Sequence, residues 1–268
     1  MDKDALRNDV ARLLASAGPL EAFLEKLFDL LRSVGSEERA AGAARTIPGM
    51  GESYGVPLPD LRIIAGELAK WGKPHPEKAF EFIKRLWKSG IRDGRVIAAK
   101  ILERLGKREA EKTLEIASAL MAGIRNWEEC DQLACFGLRH VVQRRPGLVF
   151  PWCARWVKSE EKWTRRFGIA VLTSLPKEKG YRPSDREFAV LDWVMADPAR
   201  EVQDAASWAL REIGKRHPEP VVGYLKRYAK SANRFTRRIV KQAMKVLPQA
   251  DREALQALLS SSGSFKAA

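Results

Sequence analysis

The chain has 268 residues, 45% of them apolar and 31% charged, with a net charge of +14 and a pI near 9.9. That is long enough to bury a real core and too apolar for a disordered tail, and the surplus of Lys and Arg suits a polyanionic partner. No apolar run approaches the roughly 20 residues of a bilayer-spanning helix, and Met1-Asp2-Lys3-Asp4 precedes no apolar segment of signal-peptide type, so a cytoplasmic protein is expected.

The charge is unevenly distributed. Residues 1–134 carry 22 Lys and Arg against 21 Asp and Glu, whereas residues 135–268 carry 26 against 13. Such asymmetry points to nucleic acid or an anionic membrane, and no helix pairs Lys/Arg flanks with an exposed large apolar face, which disfavours the membrane. Cys130, Cys135 and Cys153 lack CxxC spacing and are expected as reduced thiols, and His75, His140 and His217 lie far apart, so neither a metal site nor another cofactor is expected.

Helical periodicity runs through almost the whole chain. Segments of 12–17 residues are divided by Gly18-Pro19, Pro48-Gly49-Met50-Gly51, Gly72-Lys73-Pro74, Arg145-Pro146-Gly147, Asp197-Pro198 and His217-Pro218, with Pro176 to Ser184 as the longest loop candidate. The segments pair off at a spacing of roughly 35–40 residues, as HEAT-like repeats do. The expected fold is therefore all-α: a HEAT-like helical-repeat solenoid with a concave basic groove, forming one domain over 1–260 with a tail at 261–268.

In chain order, Asn126 to Val142 places Cys130, Leu133, Ala134, Gly137, Leu138 and Val141 on a buried stripe. Trp127 and Asp131, four apart, sit side by side at its edge, where a carboxylate is either paired or used. In Lys162 to Phe167, Trp163 and Phe167 read as core together with Ala170, and Arg166 flanks them. A structural Asp–Arg pair fits that pattern as well as a functional one. From Glu201 to Lys215 the apolar stripe is Val202, Ala205, Ala206, Ala209 and Ile213. Trp208 lies off it, on a face with Asp204, Arg211 and Lys215, where an aromatic is suited to contact a nucleotide. Beyond Asn233, a plausible N-cap, Arg234, Arg237, Arg238, Lys241 and Lys245 fall within an arc of about 100° that contains no acid, opposite Ile239, Val240, Ala243, Val246 and Leu247. This face suits phosphate contact.

These segments resemble the AlkD-type DNA alkylation repair glycosylases, built of HEAT-like repeats. The resemblance covers roughly residues 45 to 248. It rests on Tyr54-Gly55-Val56-Pro57-Leu58-Pro59-Asp60-Leu61-Arg62, Leu86-Trp87-Lys88-Ser89-Gly90-Ile91-Arg92-Asp93, Asn126-Trp127-Glu128-Glu129-Cys130-Asp131, Trp163-Thr164-Arg165-Arg166 and Trp208-Ala209-Leu210-Arg211-Glu212, in that order. It departs at Asp93, Glu128 and Gln203-Asp204-Ala205, where family members often carry Glu, Asp and a Lys-containing stretch.

The resemblance implies a monofunctional glycosylase that hydrolyses the N-glycosidic bond of N3- or N7-alkylated purines in double-stranded DNA. It would act without a metal or organic cofactor, as a monomer, nucleoid-associated when bound. Asp131 would be the catalytic carboxylate, Trp127 and Trp208 would flank the lesion nucleotide, and Arg166 would hold a neighbouring phosphate. Arg165, Arg211, Lys215, Arg234, Arg237, Arg238, Lys241 and Lys245 are the expected DNA-backbone contacts. The alternative is a non-catalytic repeat protein that binds damaged or branched DNA.

Overall fold

The computed structural model describes residues 2–16 and 18–261. Over these it is all-α, with sixteen helices, four shorter helical turns and no strand. It divides into two compact units, residues 1–141 and 142–268.

The first unit holds α1 (Lys3–Ala15), α2 (Leu20–Val34), α3 (Glu37–Thr46), α4 (Leu58–Gly72), α5 (Pro76–Lys88), α6 (Arg92–Leu105), α7 (Ala110–Leu120) and α8 (Trp127–Asp131). The dividing point falls inside α9 (Arg139–Arg144). α4 packs on α6, and α6 on the turn after α8, while α5 lies on α6 and meets α7. α4, α6 and α8 begin at residues 58, 92 and 127, about 35 apart, which is the repeat the sequence predicts. Because neighbours cover α6 on most sides, Val96, Ile97, Ala98, Ile101 and Leu102 are all buried, and so are its Asp93, Arg95 and Lys100.

The second unit holds α10 (Pro146–Trp156), α11 (Lys162–Ala170), α12 (Asp185–Asp192), α13 (Arg200–Gly214), α14 (Pro218–Ala229), α15 (Arg234–Ala243) and α16 (Gln249–Ser261). α11, α13 and α15 pack in succession as one layer, and α10 with α12 and α14 with α16 form the other. Proline opens α5, α10 and α14, where its missing N–H has no intrahelical partner to lose. Asn233 caps α15 as expected, its side chain accepting from the amides of Phe235 (2.8 Å) and Thr236 (3.2 Å).

Two local expectations change. Asn126 to Val142 is not one α-helix: between α8 and α9 the chain makes a π turn over Gln132–Gly137, in which Leu138 N–H donates to the Leu133 carbonyl five residues back (3.2 Å). The predicted stripe stays buried throughout, so the extra residue in the turn is taken up on the other face. The longest connection among the described residues is not 176–184 but 47–57, because a 3-10 turn carries α11 on through Pro176 to Lys177. The expected tail beyond Ser261 lies outside the described residues.

The 47–57 connection is held by one buried acid. Asp93 accepts from Ser53 Oγ (2.8 Å), Tyr54 N (2.8 Å) and Val56 N (2.9 Å), so three donors satisfy its carboxylate. Gly55 sits at φ +70, and a Cβ there would lie 2.1 Å from the Ser36 carbonyl oxygen, so the loop can close against α3 only through glycine.

Candidate functional site

Asp131 and Trp127 belong to the first unit, and all the other predicted site residues to the second. α8 starts where Asn126 Oδ1 accepts the Glu129 amide (3.0 Å), and its five residues carry three acids. Two of these are structural. Glu128 forms a bidentate pair with Arg92 (2.6 and 2.7 Å). Glu129 pairs with Arg95 (2.5 Å) and accepts the Arg125 amide (2.8 Å), with both side chains under 10% exposed. Burial alone would lower the Arg92 pKa, but the hydrogen bonds and charge of Glu128 outweigh it and hold it above the ordinary arginine value. These two pairs tie α8 to α6. The third acid, Asp131, ends the helix half-buried, and Trp127 one turn earlier is 41% exposed.

In the second unit the cations of α11 divide by task. Arg165 grips the buried Asp197 with Nε (2.6 Å) and Nη2 (3.1 Å), and its Nη1 donates to the carbonyls of Ser159 (2.9 Å) and Glu160 (2.6 Å). A guanidinium so engaged fastens the start of α11 to the turn before α13. Arg166 is 6% exposed and donates from Nη1 to the Glu201 carbonyl (2.8 Å), in the first turn of α13. Lys162 pairs with Glu201 (2.5 Å) and lies 5.3 Å from the centroid of Trp163. Burial would raise the Glu201 carboxyl, but the Lys162 hydrogen bond, aided by a backbone amide and the Arg166 charge, holds it below the usual range. Phe167 and Ala170 are core as predicted, whereas Trp163 is only half-buried.

α13 buries Val202, Ala205, Ala206, Ala209 and Ile213 and leaves Trp208 half-buried off that stripe. Arg211 Nη1 approaches the Gln242 carbonyl (3.5 Å), and Lys215 pairs with Glu212 (2.6 Å). The five cations of this face separate, four of them on α15 and Lys245 on the 3-10 turn that follows it. Arg238 donates to Asp204 (2.6 Å) and Gln203 (3.2 Å) of α13, and Arg237 donates to the Leu259 carbonyl near the end of α16 (2.7 Å). The acid missing from the α15 face is thus supplied by the neighbouring helix. Arg234, Lys241 and Lys245 remain exposed, with Arg234 4.8 Å from the Phe235 ring.

Sequence reasoning missed the Arg92–Glu128 and Arg95–Glu129 pairs, although Arg92, Glu128 and Glu129 lie in two of the family-like motifs, one repeat apart. It also missed Lys100. This side chain is buried on α6 with its ammonium 3.2 Å from the Phe136 ring centroid, and burial lowers its pKa to about 8. Cys130, Cys135 and Cys153 are buried and form no disulfide. Among the described residues, no group of three or more His, Cys, Asp or Glu is placed to hold a metal ion, and no helix is long and apolar enough to cross a membrane.

Residues 28–247 match the family described as DNA alkylation repair enzyme, and the chain belongs to that family. Among solved structures it is similar to a protein of Enterococcus faecalis described as a predicted DNA alkylation repair enzyme. That likeness has a TM-score of 0.68 at 18% identity, over 80% of this chain and 97% of the other. It is also similar to smu.31 of Streptococcus mutans UA159, with TM-score 0.53 at 18% identity over 70% of this chain and 100% of the other. Likenesses of this size show a shared fold. A slighter one, TM-score 0.49 at 12% identity over 95% of this chain and 65% of the other, is to the Pseudomonas fluorescens alkylpurine DNA glycosylase AlkC bound to DNA containing an abasic site analog, and it bears on no residue here. No curated protein matches the sequence.

Proposed function

We propose that this protein is a DNA glycosylase that hydrolyses the N-glycosidic bond of N3- or N7-alkylated purines in duplex DNA. The observation that carries the reading is the position of Asp131, partly exposed at the end of α8 one helical turn after the exposed indole of Trp127. Membership of the alkylation repair family supports it, as does the net charge of +14.

An N3- or N7-alkylated purine carries a positive charge, so it departs as a neutral base when the C1′–N bond breaks. The sugar is left as an oxocarbenium-like cation. In this reading the Asp131 carboxylate faces that cation and orients a water molecule onto C1′, accepting a proton as the C1′–O bond forms. Away from bulk water its attraction for the developing charge is several-fold larger. Trp127 and Trp208 are each assigned a DNA contact through an indole π face. Arg166, with one nitrogen on the Glu201 carbonyl, is assigned a positioning role at the start of α13. Arg234, Lys241 and Lys245 are assigned to DNA phosphates.

The test is incubation of the protein with methylated duplex DNA and chromatography of the released bases. Release of 3-methyladenine or 7-methylguanine is expected. Tight duplex binding with no base released would instead favour a DNA-binding repeat protein without catalysis.

A further inference from the structure

A cluster of charged side chains around Phe136 lies outside the residues assigned above to the glycosidic chemistry. Phe136 belongs to the π turn, and two cations converge on its ring: Lys100 Nζ lies 3.2 Å from the centroid and the Arg139 guanidinium carbon 4.8 Å. Glu103 ties the two together, at 3.5 Å from Lys100 and 3.1 Å from Arg139. The Lys100 and Glu103 side chains are only 11% and 14% exposed. The charged groups acting on Lys100 are Glu103 on its own helix, Arg139 from α9 and Arg62 from α4.

This is a costly way to fill space. A methionine at position 100 would occupy similar volume on α6 without the penalty of burying an ammonium. What the ammonium adds is direction, because it holds one face of one ring. That ring sits in the turn that begins at the residue after Asp131. A turn bonded five residues apart rotates the helix on its N-terminal side relative to the helix on its C-terminal side. It therefore sets the angle at which the end of α8 presents its last side chain.

We propose that Lys100, Arg139 and Glu103 clamp Phe136 to lock the π turn, and that the lock aims Asp131. Lys100 and Phe136 are then positioning residues for the reaction assigned to Asp131. The inference rests on that assignment for its functional half and on the cation–ring geometry for its structural half.

The experiment compares the full chain with Lys100→Met, Lys100→Arg and Phe136→Leu, measuring melting temperature, hydrogen exchange at the Leu138 amide, and single-turnover excision from methylated duplex. Lys100→Met is expected to melt at or above the wild-type temperature. Its Leu138 amide should nevertheless exchange about tenfold faster, and its excision step should slow about tenfold with substrate affinity unchanged. Phe136→Leu should behave alike, and Lys100→Arg, which keeps a cation on the ring, should restore most of both. Unchanged exchange at Leu138 in Lys100→Met and Phe136→Leu overturns the clamp. Faster exchange with undiminished excision overturns the link to Asp131. If the wild-type protein excises nothing, the positioning role falls with the proposed function, while the exchange data still decide whether the turn is clamped.

Discussion

The two units handle charge in opposite ways. Around α8, acid and base meet inside the protein: Arg92 with Glu128, Arg95 with Glu129, and Asp93 with three donors of the 47–57 connection. In the α11–α13–α15 layer, Lys162–Glu201 and Arg238–Asp204 join neighbouring helices in partly exposed pairs, Arg165 reaches the buried Asp197 of the turn before α13, and Arg234, Lys241 and Lys245 stay exposed. The contrast teaches that a charge count does not assign roles. The near-neutral unit builds a rigid seat for one half-exposed carboxylate, and the basic unit uses about half of its singled-out cations as fasteners.

The sharpest break in this contrast comes from the buried pair. Arg95→Met leaves Glu129 charged in the interior and should destabilise the protein by about 3 kcal/mol, measured by denaturant unfolding, with partial recovery in Arg95→Met/Glu129→Leu. A loss below about 1 kcal/mol would show the pair to be no seat at all. Next, Trp208→Ala should slow excision about tenfold while shifting the melting temperature little, because the indole is half-buried and off the apolar stripe. A large drop in melting temperature with normal excision would return Trp208 to the core.

A smaller effect is expected from Lys241→Glu, which should weaken duplex binding and reduce the slope of log affinity against log salt by about 1. Arg165→Met should lower stability and leave that slope unchanged, since its guanidinium faces Asp197 and two carbonyls. Equal slopes for both variants would erase the division into contacts and fasteners. The smallest effect is on pH dependence. Lys100 titrates at about 8 when folded and near 10.5 when unfolded, so between these values only the unfolded chain retains the proton. Stability contributed by this group therefore rises with pH across that window, and Lys100→Met should flatten the rise. An identical pH profile in the variant would mean that Lys100 is not held in the interior.

Much of this architecture was legible in the residues. Gly–Pro and x–Pro breakers marked helix starts, Asn233 declared its capping role, and the stripes of α13 and of residues 126–142 are buried as periodicity required. Trp208 stood out because a large aromatic fell off its stripe, and Trp127 because it lies one turn before Asp131. The π turn was not legible, since Cys130 to Val141 satisfy an α-helical pattern equally well and one extra residue leaves the stripe intact. Nor were the partners of Arg165 and Arg238, which lie 32 and 34 residues away on other elements. Asp93 and Lys100 were missed for a related reason. A charged residue reads as solvent-facing in sequence, and only the packing of neighbours around α6 reveals that it is inside.

The central claim reduces to the chemistry of one side chain. Single-turnover release of 7-methylguanine from methylated duplex, compared between the wild-type protein and Asp131→Asn at matched DNA occupancy, addresses it directly. Asp131→Asn should release base at least about 100-fold more slowly while binding the duplex as well as before. Release at the wild-type rate would contradict the assignment of Asp131.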